Sequence, residues 1–269
     1  MSRRAPRDAS TPQPPRWPVQ VALLVGRSSA GAGRNPVLAL NLVLAVFFLL
    51  VYDGSLGGAK AVVDLVGGNF YNFILPAAVL AAAVAGGAAG LILVNDIQRT
   101  YLQRQLTMPV HRSAIMVSAV TVGALQVALQ AIVVLGFGVL LGAEPRTGVA
   151  GLAVVVVIAL IWGLGFAGYS VMVGVLTRDV QLTSAAGLLF VPLIFMSPLL
   201  VPASELKPWV RFASSVNPAS YVVEGMRALI IRGWEVEPIV KALAASIGFA
   251  AVMLSGAILV ARWSFRRGF

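Results

Sequence analysis

The residue types that most often carry chemistry are scarce in this chain. It has no cysteine and one histidine, His111, so no disulfide, thiolate metal site or paired-histidine site can form. The G-x-G-x-x-G run of Gly163, Gly165 and Gly168 lies inside an apolar stretch with no strand before it, which favours helix packing over nucleotide binding. No G-x-x-x-x-G-K-[ST] motif occurs. We therefore predict no catalytic residue, no metal site and no cofactor in this chain.

The overall composition indicates the class of protein. The 269 residues are 59% hydrophobic and 11% charged, with a mean hydropathy of +0.90. Soluble domains carry about 25% charged residues. The composition therefore predicts a membrane protein that crosses the bilayer several times.

Apolar segments predict an all-α membrane protein with six transmembrane helices. Crossing the hydrocarbon core takes about 20 apolar residues. The six segments are approximately 35–52, 71–94, 114–141, 149–176, 182–202 and 239–261. In the second, Ala82, Gly86 and Gly90 recur at spacing four, which predicts close helix packing. No segment contains a clear Asp or Glu, which argues against an ion-driven porter or an intramembrane enzyme and favours an external energy source.

The two ends of the chain differ from these segments. Residues 1–18 are basic and proline-rich, and we predict a disordered cytoplasmic tail that precedes one transmembrane domain, 19–269. Residues 19–34 are mildly amphipathic, which predicts an N-terminal helix lying at the membrane interface.

Positive charge predicts the orientation. If both termini lie on one side, that side carries thirteen basic and three acidic residues, and the other side carries seven of each. The basic residues on the first side are numbers 3, 4, 7, 16, 27, 34, 99, 104, 112, 178, 262, 266 and 267. Basic loops are cytoplasmic and contact anionic lipid headgroups. We therefore expect cytoplasmic termini and no nucleic-acid partner.

The segment 203–238 is too charged to cross a membrane. Asn217-Pro218 is typical of a helix start, and Glu224 and Arg227 are three residues apart on that helix. One interpretation is a solvated ion pair worth a few tenths of a kcal/mol. The other, which we favour, is a re-entrant helix that turns back in the outer leaflet and closes an exit.

The loop after the second segment has a helical pattern of its own. Apolar residues recur at helical spacing, charged residues lie on other faces, and Pro109 ends the helix. The apolar positions are Ile97, Tyr101, Leu102 and Leu106, and the charged ones are Asp96, Arg99 and Arg104. This helix is either a solvated connector or a segment that docks into a groove of a soluble partner.

Polar and soft apolar side chains within the spans are candidates for contact with a cargo. They are Gln126, Gln130, Phe166, Tyr169, Phe195 and Met196. Gln126 and Gln130 share a helix face and should point into the bundle, where hydrogen bonding between helices is an equal alternative. For the aromatic residues and Met196, packing is the alternative.

Three motifs together resemble the ABC-2 family of ATP-binding cassette transporter membrane subunits. The loop at 95–109 resembles the coupling helix of that family. N-P-A-S-Y-V-V-E-G-M-R, 217–227, is similar to the family element N-P-x-x-Y-x-x-E-x-x-R, and V-P-A-S-E-L-K-P-W-V, 201–210, is similar to the pattern before it. The chain after residue 18 is similar to the family as a whole, and most similar to the daunorubicin/doxorubicin-resistance type.

The resemblance implies an exporter subunit of the bacterial cytoplasmic membrane that moves a hydrophobic drug-like or lipid cargo. A second permease, identical or a sister chain, and two ATPase subunits holding ATP and Mg would complete the transporter. The ATPase would contact 96–109, including Pro109. The outer gate would comprise Pro202, Trp209, Asn217, Pro218, Tyr221, Glu224 and Arg227. The alternatives are an ABC-2 permease for polysaccharide, haem or a glycosylated natural product, and a scaffold subunit that transports nothing.

Overall fold

The computed structural model describes residues 16–32, 69–84, 88–98, 112–190 and 206–266, with isolated positions at 43–55 and 192–198. The regular secondary structure of these residues is helical, and they contain no strand. The helices are α1 (Trp17–Ala32), α2 (Phe70–Val84), α3 (Ala88–Gln98), α4 (Arg112–Leu140), α5 (Gly148–Thr177), α6 (Val180–Ala186), α7 (Pro208–Val216), α8 (Pro218–Arg227) and α9 (Val236–Arg266). A 3₁₀ turn, Gly187–Leu189, follows α6, and a π-helical turn, Ala228–Arg232, follows α8.

Three of the described helices are long and apolar enough to cross a membrane. They cover Ser113–Leu140, Gly148–Thr177 and Val236–Ser264, with 28, 30 and 29 residues. At about 1.5 Å per residue each exceeds the roughly 30 Å hydrocarbon core. They coincide with the third, fourth and sixth predicted spans, so the prediction of an all-α membrane protein is confirmed for this part of the chain.

The other predicted spans are described in part. The second corresponds to α2 and α3, and residues 85–87 between them lie outside the described residues, as does Gly86. The fifth begins with α6 and the 3₁₀ turn, whereas most of 191–205 lies outside. Most of the first span and residues 1–15 of the predicted tail also lie outside.

The N-terminal helix forms close to its predicted position. It begins at Trp17 rather than at residue 19, because Pro18 is favourable in a first helical turn. It packs along α4, and its Trp17 indole N–H donates to the Ser113 hydroxyl at 3.2 Å. This contact places the start of α1 beside the start of α4.

Helix α5 is the centre of the bundle and packs against α2, α3, α4, α6, α8 and α9. Its three motif glycines lie at these contacts: a side chain at Gly163 would collide with Val127 of α4, and one at Gly165 with Phe249 of α9. A side chain at Gly168 would lie 3.0 Å from Leu254 of α9, which is also a tight contact. The prediction that the glycine run serves helix packing is therefore confirmed.

The core between α5 and α9 is aromatic. Trp162 stacks on Phe249 with ring centroids 4.2 Å apart. Phe190, directly after the 3₁₀ turn, lies 4.6 Å from Phe166 and 5.8 Å from Phe249. These rings join the fifth predicted span to the fourth and the sixth.

The bundle has two ends, which we name by their residues. At the terminal end Trp17 donates to Ser113, and Arg178 donates to the Ser264 hydroxyl at 3.3 Å. The loop end holds the start of α2, the α4–α5 loop at 141–147, the π-helical turn and the start of α9. The C terminus of α4 ends in a Schellman motif, in which Gly142 has φ +110° and Ala143 N–H donates to Gly138.

Candidate functional site

The break between α7 and α8 at the loop end is built on Asn217. Its backbone is extended, as expected for a residue before proline, and its side-chain oxygen accepts from the Ala219 N–H at 3.0 Å. The Ser214 and Ser220 hydroxyls lie 3.1 Å apart across the break. The Tyr221 hydroxyl donates to the Ser215 carbonyl. The predicted cap and helix start at Asn217-Pro218 are confirmed.

Helix α7 exposes its apolar side chains. Trp209, which is 64% exposed, Phe212 and Val216 point outward from one face, whereas Ser214 is buried. In a water-soluble protein this arrangement would be unfavourable, since about 25 cal/mol is lost for each Å² of apolar surface left in water. The face is therefore suited to an apolar surrounding at the edge of a membrane.

Helix α8 is buried against α2 and α9. A side chain at Gly225 would collide with Ala242 and with the Pro238 carbonyl of α9. Arg227 is only 6% exposed, and its guanidinium carbon lies 3.9 Å from the centroid of the Phe73 ring on α2. Such a cation–π contact is worth about 2 kcal/mol when desolvated. Helix α8 is therefore clamped between two neighbours.

The predicted ion pair of Glu224 and Arg227 exists, but it is the weaker of two. The Glu224 carboxylate lies 3.9 Å from Arg227 and 2.7 Å from Arg232. Arg232 also donates to Glu235 at 2.8 Å. Burial opposes the charge on Arg232, but the bonds to Glu224 and Glu235 outweigh it and raise the pKa of its guanidinium. This charged cluster joins the end of α8 to the residue before α9.

Arg232 and Glu235 were missed by sequence reasoning. Eight residues separate Glu224 from Arg232, and a regular α-helix would not place them on adjacent turns. The π-helical turn brings Arg232 to Glu224, and Gly233, with φ +116°, turns the chain so that Glu235 also meets Arg232. The glycine in Arg232-Gly233-Trp234-Glu235 was the available signal for a tight turn.

A cavity of about 320 Å³ adjoins this charged cluster. Its lining includes Tyr221, Glu224, Arg232, Glu235 and Lys241. The cavity is open at the loop end, between α8 and α9. Of the predicted gate residues, Tyr221 and Glu224 meet in this lining, whereas Arg227 lies on the Phe73 ring instead. Pro202 lies outside the described residues.

The candidate cargo residues have different environments. Gln126 and Gln130 of α4 are 9% and 5% exposed, so they point into the bundle as predicted. Both polar atoms of the Gln126 amide, and the Gln130 carbonyl oxygen, have no hydrogen-bond partner among the described residues. Phe166 is 1% exposed, in the aromatic core. The Tyr169 hydroxyl donates to the Ala186 carbonyl at 3.1 Å. Met196 is half-buried, and Phe195 lies outside the described residues.

The indole N–H of Trp162 on α5 and the hydroxyl of Ser246 on α9 are also buried without a partner among the described residues. Because Gly165 adjoins Phe249 and Gly168 adjoins Leu254, α5 and α9 run in the same direction with matched levels. Trp162 and Ser246, each one turn earlier, therefore lie at about the same depth.

The candidate coupling residues are described least. The backbone of Asp96 and Ile97 belongs to α3, whereas Arg99, Tyr101, Leu102, Arg104, Leu106 and Pro109 lie outside the described residues. The helix that leads to them is firmly held. The Gly90 N–H donates to the Ser170 hydroxyl at 2.9 Å, and no side chain would fit between Gly90 and α5. Helix α3 should therefore move with α5 as one body.

Metal-binding chemistry finds no support in this part of the chain. The described residues include no group of three or more His, Asp or Glu side chains that could hold a metal ion. His111 lies outside them.

Most of the chain is similar in sequence to known proteins. Residues 19–231 match the profile of the family described as ABC-2 type transporter. The probable doxorubicin resistance ABC transporter permease protein DrrC of Mycobacterium tuberculosis is 26% identical over 78% of this chain and 76% of its own length. The daunorubicin resistance ABC transporter permease protein DrrB1 of Streptomyces coeruleorubidus is 24% identical over 72% and 69%. The putative transport permease ycf38 of Porphyra purpurea is 23% identical over 77% and 72%.

Proposed function

This chain belongs to the ABC-2 type transporter family, and on that premise we propose that it is the transmembrane subunit of an exporter for a hydrophobic drug-like or lipid cargo. The observation that carries the proposal is the extent of the match, from α1 to the π-helical turn. It includes the helix leading into the coupling segment and the α7–α8 break. Two relatives named as drug-resistance permeases support the class of cargo.

ATP hydrolysis belongs to a separate ATPase subunit in this proposal. Two copies would hold ATP and Mg and press on the segment 95–109 of this chain and of a second permease, identical or a sister. The docking of Gly90 on Ser170 supports this mechanism. Because α3 is held so closely to α5, a push on its end would shift the centre of the bundle.

The cargo path runs past Gln126 and Gln130. A buried polar group without a partner costs about 1–3 kcal/mol, whereas an apolar residue of the same shape would cost nothing. A helix that served only packing would carry leucine at these positions. We infer that the amides, with Trp162 and Ser246, offer hydrogen bonds to polar groups of an otherwise apolar cargo.

The exit is closed by α8 and the charged cluster. Arg232 holds Glu224 and Glu235 together, and Arg227 anchors α8 on Phe73. Opening requires α8 to separate from α9. The exposed apolar face of α7 would rest in the outer leaflet beside it.

In this proposal the chain crosses the bacterial cytoplasmic membrane six times, with both termini and the terminal end of the bundle in the cytoplasm. Since the chain has no cysteine, single cysteines report its topology directly. Cysteine at Arg104 should react with an impermeant thiol reagent only from the inside, and cysteine at Lys207 only from the outside. Labelling of Arg104→Cys from the outside would refute this orientation.

The function is tested by transport in vesicles. The chain is reconstituted with an ABC ATPase that copurifies with it, and ATP-dependent movement of a fluorescent lipophilic dye is measured. The control is an ATPase whose P-loop lysine is replaced by alanine. We expect movement with the intact ATPase alone. Equal movement without any ATPase would contradict the proposal, and so would a complete assembly that hydrolyses ATP but moves neither dye nor lipid.

A further inference from the structure

The α4–α5 loop is fastened on one side to the start of α2. The Asn72 side chain donates to the Glu144 carbonyl at 3.1 Å and accepts from the Glu144 N–H at 2.9 Å. The Asn69 side chain donates to the Gly142 carbonyl at 3.0 Å. Three hydrogen bonds thus fix the position of this loop on α2.

The same loop is fastened on its other side to the π-helical turn. The Arg146 N–H donates to the Ile230 carbonyl at 2.9 Å, and the Thr147 hydroxyl donates to the Leu229 carbonyl at 2.7 Å. Carbonyls in the last turn of a helix have no partner within the helix. The loop supplies those partners, so its hydrogen bonds fix the position of the π-helical turn relative to the loop.

Helix α2 also touches α8 directly, but that contact is of a different kind. It consists of apolar packing and the Phe73–Arg227 contact, in which a ring face accepts the cation. Apolar attraction has no preferred direction, whereas a hydrogen bond weakens steeply when its angle changes. The hydrogen-bonded loop is therefore the element that can transmit a displacement of α2 to the π-helical turn without slippage.

We propose that the α4–α5 loop is the mechanical link between the second span and the gate, with Asn72 and Thr147 as its positioning residues. The proposal rests on the proposed function, because it needs an ATP-driven movement of α2 and α3. When α2 shifts, Asn72 moves the loop, and Thr147 moves the turn that carries Arg232. The charged cluster then loses its geometry and α8 is released.

Thr147→Val tests one side of the link, since it removes the hydroxyl and keeps the shape. Losing one hydrogen bond of about 0.5–1.5 kcal/mol should lower the cargo moved per ATP hydrolysed roughly two- to tenfold. Thr121→Val is the matched control, because the Thr121 hydroxyl donates within its own helix, to Val117 at 2.7 Å. It should leave that ratio unchanged.

The other side is tested by a removable cross-link. Asn72→Cys with Glu144→Cys in this cysteine-free chain removes the Asn72 bonds and should lower the transport ratio. Joining the two thiols with a short bifunctional methanethiosulfonate reagent should restore the transport ratio. The reason is that, in the proposed link, residues 72 and 144 stay at a constant distance during the transport cycle. A ratio that falls further on cross-linking and recovers on reduction would overturn the proposal.

The outcomes separate this proposal from the proposed function. Wild-type vesicles without ATP-dependent transport would refute both. Wild-type transport together with an unchanged ratio in Thr147→Val would overturn the link alone.

Discussion

In the proposed mechanism individual side chains carry out two tasks, and Arg232 at the loop end is central to the first. It bridges Glu224 on α8 and Glu235 before α9, although all three side chains are partly exposed. Exposed ion pairs contribute about 0.2–1 kcal/mol each. That is too little to stabilise a fold, but it is enough to shift an equilibrium between closed and open states several-fold.

Arg232→Gln should therefore raise the resting ATPase activity of the assembled transporter by roughly two- to fivefold, because the closed state loses its bridge. Its melting temperature should change little. Lys241→Gln is the control, since Lys241 lines the same cavity but pairs with Glu237 inside α9. Equal resting activity in Arg232→Gln and wild type would remove the cluster from the gate.

Gln126 represents the second task, the polar path through the bundle. Gln126→Leu should stabilise the purified chain by about 1–3 kcal/mol, because an amide that has no partner among the described residues leaves the core. Transport of cargo should fall at the same time. Ser118→Ala on the same helix is the control, since its hydroxyl donates to the Ile115 carbonyl at 2.8 Å and its loss should not stabilise. Thermal unfolding and vesicle transport, measured on both variants, would decide. Full transport by Gln126→Leu would exclude the cargo role.

Among the helices, α8 and α9 fit closely together at the proposed gate. Gly225 of α8 lies where a methyl group would collide with Ala242 and the Pro238 carbonyl. There is therefore little room for added volume between α8 and α9. A solute can pass between the two helices only if they move apart.

Gly225→Ala should destabilise the closed state by about 1–3 kcal/mol through overpacking, and it should raise leakage of small solutes from loaded vesicles. Gly248→Ala is the matched control. Nothing lies within 4 Å of a side chain added at Gly248, and alanine favours the helix there. Leakage that is the same in both variants would show that α8 does not seal the exit.

For the molecule as a whole, the proposal requires force to enter at one end and act at the other. Asp96 and Arg104 belong to the candidate coupling segment, and the loop end lies at the opposite end of α2 and α3. Of the helices between them, α3 packs mainly on α5, and α2 packs mainly on α4 and also contacts α5. A push at the terminal end is therefore expected to reach the gate as a movement of rigid helices.

Charge reversal by Asp96→Lys or Arg104→Glu should lower export and copurification of the ATPase, because the reversed charge no longer complements the charge of the partner. Membrane insertion should be unaffected, as measured by the amount of chain extracted from membranes. Lys207→Glu, exposed before α7, is the control and should export normally. If both reversals exported cargo at the wild-type rate, the segment would have no coupling role.

The sequence by itself determined the class of protein and several local structures. Apolar length predicted α4, α5 and α9 because a membrane span needs little more than about 20 apolar residues. Asn217-Pro218 predicted a helix start because capping depends on neighbours in sequence. The glycine run was predicted to serve packing because its context excluded a nucleotide site. All of these features depend on local composition or spacing.

Only the tertiary structure decided which distant groups meet. The bridge of Glu224 by Arg232 depends on a π-helical turn, and the bonds of Asn72 to Glu144 join residues 72 positions apart. No periodicity marks either contact, because hydrogen bonds between elements depend on how the helices pack. The same holds for Arg227, whose burial against Phe73 follows from the clamping of α8 between α2 and α9.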